Sequence, residues 1–215
     1  LINSFHNQIS LDNFYNVLYN DNTNVSQQLD SIHYPPQVVM NSTYTLESIL
    51  GVFKSPQLIA DHIGDINIAD IKLTLVNYHE LLRTFLAIKI LKDVLVQIPE
   101  TAVELEHTLP RLSIYKNYYI VCQKLISIYP LLLNTALEQQ KIILGQLKLG
   151  KLIKLVYPGL KIKRLGLRGE SKYNYLGVMW NDRIVKDDIL DLCNLYDLAD
   201  LATYFQKKGR KISGK

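Results

Sequence analysis

The sequence predicts a mainly α-helical protein carrying one β-hairpin, and three observations lead there. Apolar residues recur at helical spacing through most of the 215 residues. Two short runs, LKIKRL (160–165) and KYNYLGV (172–178), instead alternate at period two around GLRGES (166–171), a turn with two glycines. Just upstream, Leu149, Leu152, Ile153, Val156 and Tyr157 mark a short helix that Pro158-Gly159 stops, since proline removes a donor and keeps its predecessor out of the α region. Helix, tight stop and hairpin are the layout of a winged helix. The expected fold is therefore mainly α: a winged helix (helices plus a small β-hairpin wing) with additional flanking helices.

Charge singles out the same stretch. Between Gly145 and Tyr175 eight bases (Lys148, Lys151, Lys154, Lys161, Lys163, Arg164, Arg168, Lys172) stand against one acid, Glu170, in a chain of formal net charge +4. The rest of the chain is net acidic. Cations gathered on one small element are the footprint of a polyanion partner.

Taken in order, residues 1–45 form a polar arm with a short helix. Ser10 is placed to cap it, and Leu11, Phe14, Val17 and Leu18 lie on its apolar side up to Tyr19. Residues 20–43 have loop composition, and Pro35-Pro36 reads as extended chain. Residues 46–99 read as a helical segment. A short helix covers Thr45 to Lys54, and Ser55-Pro56 starts another that Gly64 closes. A long helix over 68–97 ends before Pro99. Its LLRTFLAIKILKDVLVQI is apolar on nearly all sides, yet Arg83, Lys89, Lys92 and Asp93 make a membrane span too costly. Such a helix is the centre of a bundle or is covered by a partner.

Residues 100–180 hold the winged helix. ETAVELEHT (100–108) is an acidic connector, Pro110 opens a helix reaching about Tyr129, and another helix is expected from about Leu131 to Leu144. The tyrosines Tyr115, Tyr118, Tyr119 and Tyr129 read as core and boundary residues. Residues 181–215 read as a C-terminal amphipathic helix and a basic tail. A single helix is expected from Lys186 to Lys207, with Ile189, Leu192, Cys193, Tyr196, Ala199 and Thr203 on one stripe and five aspartates between.

Catalytic signatures do not occur: there is no G-x-S-x-G, P-loop, H-E-x-x-H or dinucleotide fingerprint. G-L-R-G at 166–169 lies in a hairpin turn rather than ahead of a helix, so it is not read as a phosphate loop. Cys122 and Cys193 fit no C-x-x-C pattern and read as buried thiols of a reducing compartment. The five histidines show no ligand spacing. The expectation is no enzyme, no metal and no cofactor. No signal peptide is seen, and the chain opens without Met, so it is read as a portion of something longer.

GKLIKLVYPGLKIKRLGLRGESKYNYLGV (150–178) resembles the DNA-binding domain of regulatory factor X (RFX) proteins, whose signature is approximately F-G-K-L-I-R-x-V-F-P-G-L-x-x-R-R-L-G-T-R-G-x-S-K-Y-x-Y-Y-G. Upstream, LPRLSIYKNYYIVC (109–122) resembles the family's L-P-R-S-x-L-Y-x-x-Y-x-x-x-C. The chain departs from that pattern at Leu149, Ile162 and Leu167, and it carries an acid, Glu170, in the wing turn. The resemblance implies a wing that reads the major groove and a preceding helix over the minor groove, with Lys148, Lys151 and Lys154 near its phosphates.

The residues support that use directly. Arg168 can offer a bidentate fork to guanine O6 and N7. Lys161, Lys163, Arg164 and Lys172 suit flanking phosphates, and Tyr173 and Tyr175 supply one face of the strand. The expected function is a nuclear protein binding double-stranded DNA in transcription regulation or chromatin. The alternative is a structural subunit of a larger nuclear complex whose winged helix mainly makes protein contacts. Helices 68–97 and 186–207 are the expected protein-partner surfaces of an oligomer or complex subunit; no membrane is expected.

Overall fold

A computed structural model describes residues 6–20, 35–55, 77–98, 107–131 and 136–212. Helix α1 spans Leu11–Tyr19 and begins as expected: the Ser10 hydroxyl accepts from the Asn13 amide at 3.2 Å. Leu11, Phe14, Tyr15 and Leu18 are buried in the main core, so the arm's helix is part of the folded body.

Helix α2 spans Pro36–Lys54, beginning well before the expected Thr45. Only Pro35 is extended. Pro36 occupies the first helical turn, where its missing N–H costs nothing and its fixed φ is already helical. The helix proposed after Ser55-Pro56 lies outside the described residues.

Helix α3 spans Tyr78–Val94, with Asn77 capping the Glu80 amide at 3.2 Å. Residues 68–76 of the expected helix lie outside the described residues, and its last three are a strand, β1 (Leu95–Gln97). Tertiary pairing overrides helical periodicity there. β1 runs antiparallel to β5 (Val178–Trp180), and the Asn181 side chain donates to the Asp93 carbonyl at 2.7 Å, closing the helix end. Leu82, Leu86, Ala87, Ile90, Leu91 and Val94 are buried by the chain's own elements. Lys89 and Asp93 satisfy each other inside the core at 2.8 and 2.7 Å. Among the described residues, no helix is long and apolar enough to cross a membrane.

Strand β2 (Thr108–Pro110) leads into helix α4 (Arg111–Ile128), the central packing helix. Within the expected helix over Leu131–Leu144, the described residues form a short α5, Ala136–Gln140, followed by tight turns. Tyrosines of α4 explain the break: Tyr118 Oη accepts from the Leu144 amide at 2.9 Å, and Tyr115 Oη donates to the Leu144 carbonyl at 3.2 Å. Residue 144 is thereby withdrawn from helical pairing.

Helix α6 (Gln146–Val156), strand β3 (Ile162–Leu165) and strand β4 (Lys172–Leu176) follow as the sequence predicts. β4 is central in a three-stranded sheet of order β2-β4-β3. Gly177, at φ +71°, turns the chain from β4 into β5 and so joins this sheet to the β1-β5 pair. The hairpin lies where the period-two runs predict it, whereas β1, β2 and β5 carry no such pattern.

The C-terminal segment is two helices rather than one: α7 (Asp187–Leu195) and α8 (Leu198–Ile212). Asp197 starts the second by accepting from the Asp200 amide at 2.9 Å. Lys116 of α4 closes the first, donating to the carbonyls of Cys193 and Tyr196 at 3.0 and 2.6 Å. The break lets Leu201 and Phe205 turn onto the core.

Candidate nucleic-acid interface

Helix α6 sorts its residues by side. Leu149, Leu152 and Ile153 are buried, whereas Lys148, Lys151 and Lys154, three residues apart, are exposed. Leu147 and Leu155 share the exposed side, at 76% and 78% exposure. After the helix the chain doubles back through Pro158-Gly159, the Leu160 amide donating to the Tyr157 carbonyl at 3.1 Å. Tyr157 anchors this corner: its hydroxyl donates to the Leu91 carbonyl of α3 at 3.0 Å. The basic helix is thus held rigidly on the core.

The hairpin register assigns the wing's side chains to two faces. Lys163 pairs with Asn174 and Leu165 with Lys172 on one face; Ile162 pairs with Tyr175 and Arg164 with Tyr173 on the other. The Arg164 guanidinium lies over the Tyr173 ring, 5.8 Å from its centroid. The connecting turn uses Gly166 at φ +117° and Gly169 at φ +96°, and the Glu170 amide donates to the Leu167 carbonyl at 3.0 Å. A β-carbon on Gly166 would also press on the Ser171 backbone at 3.1 Å, so both space and dihedral require glycine. Arg168 and Leu167 are exposed in this turn.

Burial divides β4 along its length. Lys172 and Tyr173 are exposed, while Asn174, Tyr175 and Leu176 are buried where β2 pairs with the strand. Tyr175 is therefore corrected: at 1% exposure it is a core residue anchoring the wing, not a surface for a ligand. Strand alternation put it on the same face as Tyr173. It could not show that this face enters the core two residues further on, where β2 joins β4 edge to edge.

Lys148 is also qualified. Its ammonium donates to both oxygens of Glu80, on α3, at 3.0 and 2.9 Å, so its charge is already partly answered. Among the described residues, Lys151, Lys154, Lys163, Arg164, Arg168 and Lys172 have no ion pair. Lys161 is exposed at the root of β3, its carbonyl accepting from the Leu176 amide. The result is a two-stranded ribbon with cations on both faces and at the tip, standing beside a basic helix.

Residues 95–182 match the family model of the RFX DNA-binding domain. The chain carries an RFX-type winged-helix DNA-binding domain. The matched residues run from β1 to just past β5, two strands that pair with each other. The chain is similar to Protein sak1 of Schizosaccharomyces pombe, 40% identical over 68 residues (32% of this chain, 7% of that protein). It is similar to the RFX-like DNA-binding protein RFX1 of Saccharomyces cerevisiae, 57% identical over 35 residues (16% and 4%). It is also similar to the human DNA-binding protein RFX5, 38% identical over 76 residues (34% and 10%). The RFX match thus spans a tenth or less of the length of these curated relatives.

Sequence reasoning did not register Glu80, which sits 68 residues before its partner Lys148. Nor did it single out Arg111, whose guanidinium lies against Gly150 of α6. Arg111 falls inside the upstream block that resembles the RFX domain, but its position beneath the basic helix follows only from the packing of α4 on α6.

Proposed function

We propose that this chain is the DNA-reading part of a nuclear transcription regulator and binds double-stranded DNA through its wing and α6. The observation that carries the reading is the wing itself. Lys163, Arg164, Arg168 and Lys172 project from a two-stranded ribbon whose outer half no other described element covers, and none is occupied by a carboxylate of the described residues. A two-stranded ribbon fits the major groove, about 12 Å wide, and a guanidinium at its tip meets the guanine edge there. Lys151 and Lys154 then neutralise phosphates alongside, which hold register without reading sequence.

The test is a binding titration of the chain against a family-type duplex and a random duplex at several salt concentrations. Affinity for both should fall steeply with salt, by a slope of about 0.9 for each phosphate neutralised. Arg168→Ala should weaken the preferred duplex by about 1–3 kcal/mol and narrow its advantage over random DNA, whereas Lys154→Ala should weaken both alike. If neither substitution moves the midpoint, direct reading by the wing is wrong.

A second reading, a complex subunit, keeps one specific support. Met40 and Tyr44 lie one turn apart on α2 at 63% and 73% exposure, and Leu195 at the end of α7 is 74% exposed. Helix α3, by contrast, is already covered from within the chain. A partner-dependent role is favoured if the purified chain associates or precipitates and binds no duplex.

A further inference from the structure

Arg111 opens α4, yet its side chain reaches α6. A β-carbon built on Gly150 would stand 2.6 Å from Arg111 Nη2, closer than real β-carbons come, and 3.3 Å from Cζ. The guanidinium therefore occupies the space that a side chain at 150 would fill. Its Nε is buried and donates to nothing, and among the described residues no carboxylate or carbonyl accepts from Arg111. Arg111 as a whole is half-buried, so its outer nitrogens stay open to a ligand, while a buried donor without an acceptor is costly and an anion at the guanidinium lowers that cost.

The helix places a second cation beside it. At 100° per residue, Gly150 borders the buried stripe of Leu149, Leu152 and Ile153, and Lys154 follows one turn along the same edge. Lys154 is exposed and unpaired among the described residues. Lys148 lies on the opposite edge, where Glu80 answers it. Among the described residues the two edges of α6 thus differ: one has its own counter-ion, and the other has two cations and none.

We propose that Arg111 is a phosphate-binding residue of the same interface, its guanidinium and the Lys154 ammonium holding one backbone phosphate of bound duplex at that edge. Gly150 is the positioning residue, because only a residue without a β-carbon lets the guanidinium lie there. This rests on the DNA-binding reading above and adds to it a contact from outside the basic stretch.

The test titrates the chain and three variants against a random-sequence duplex of about 20 base pairs across a salt series, with thermal unfolding recorded in parallel. Arg111→Gln should lower affinity several-fold and reduce the salt slope by about 0.9, one phosphate's share. Arg111→Lys should keep the slope. Gly150→Ala leaves every charge in place and improves helix propensity, but displaces the guanidinium; it too should lose affinity several-fold. An Arg111→Gln chain with unchanged slope, or a Gly150→Ala chain with unchanged affinity, overturns the proposal and leaves Arg111 a packing residue. If the unaltered chain shows no salt-dependent binding at all, the DNA-binding reading itself falls. If Arg168→Ala weakens binding while the Arg111 variants do not, only this inference falls.

Discussion

Glu80 accepts from Lys148 through both carboxylate oxygens, at 3.0 and 2.9 Å, across the boundary between α3 and α6. The pair is solvent-exposed, so it adds little to stability. Its consequence is electrostatic. It places an acid beside the basic helix and occupies one of the cations there.

Replacing that acid should strengthen DNA binding. Glu80→Gln releases Lys148 and removes a negative charge near the phosphates. Affinity for random duplex should rise several-fold at low salt, and the salt slope should steepen by up to about 0.9. Titration of the two proteins side by side checks this, and an unchanged slope would place Lys148 away from the DNA.

The two wing tyrosines should separate stability from binding. Tyr175 is fully buried at the wing's root, so Tyr175→Ala should cost about 3–5 kcal/mol of stability, as for other buried aromatics. Tyr173 is 57% exposed beneath Arg164, and Tyr173→Ala should leave the melting temperature nearly unchanged while weakening duplex binding. Thermal unfolding and a binding midpoint, measured on both variants, decide it.

Lys116 should matter to the fold and not to the interface. It closes the end of α7 through two carbonyls and couples that helix to α4. Lys116→Met keeps the stem but strands both acceptors, and should lower stability by about 1–3 kcal/mol. The salt slope of DNA binding should stay as it was, which distinguishes this lysine from those of α6.

Alkaline pH should destabilise the chain through Cys122. Burial pushes its thiol up from 9.0 to about 12. The folded state therefore keeps a proton that the unfolded state gives up. The stability linked to this group is intact below about pH 9 and is lost as pH rises toward 12, by about 1.4 kcal/mol per pH unit. Denaturant unfolding of the chain and of Cys122→Ala across that range should show a shallower decline in the variant. Tyr118, also buried and raised, continues to contribute in both.

What could be read from the chain was local. The Ser10 cap, the stop at Pro158-Gly159 and the period-two runs around Gly166 and Gly169 each depend on residues within a few positions of one another, and each appears where the pattern puts it. The cap before α8 was equally local: Asp197 three residues before Asp200 is a start signal, but the apolar stripe running through Tyr196 hid it.

The sequence by itself determined the helix, stop and hairpin and the cations they carry, because short-range sterics and side-chain period act before any tertiary contact forms. Only the tertiary structure decided which of those groups face outward. It ended α3 at Val94 by pairing β1 with β5, and it buried Tyr175 in the core where β2 joins β4. It also set Glu80 against Lys148 and laid Arg111 over Gly150. Each of these joins residues some forty to eighty-five positions apart. Such contacts depend on how packed elements meet in space, and periodicity within one element carries no information about that.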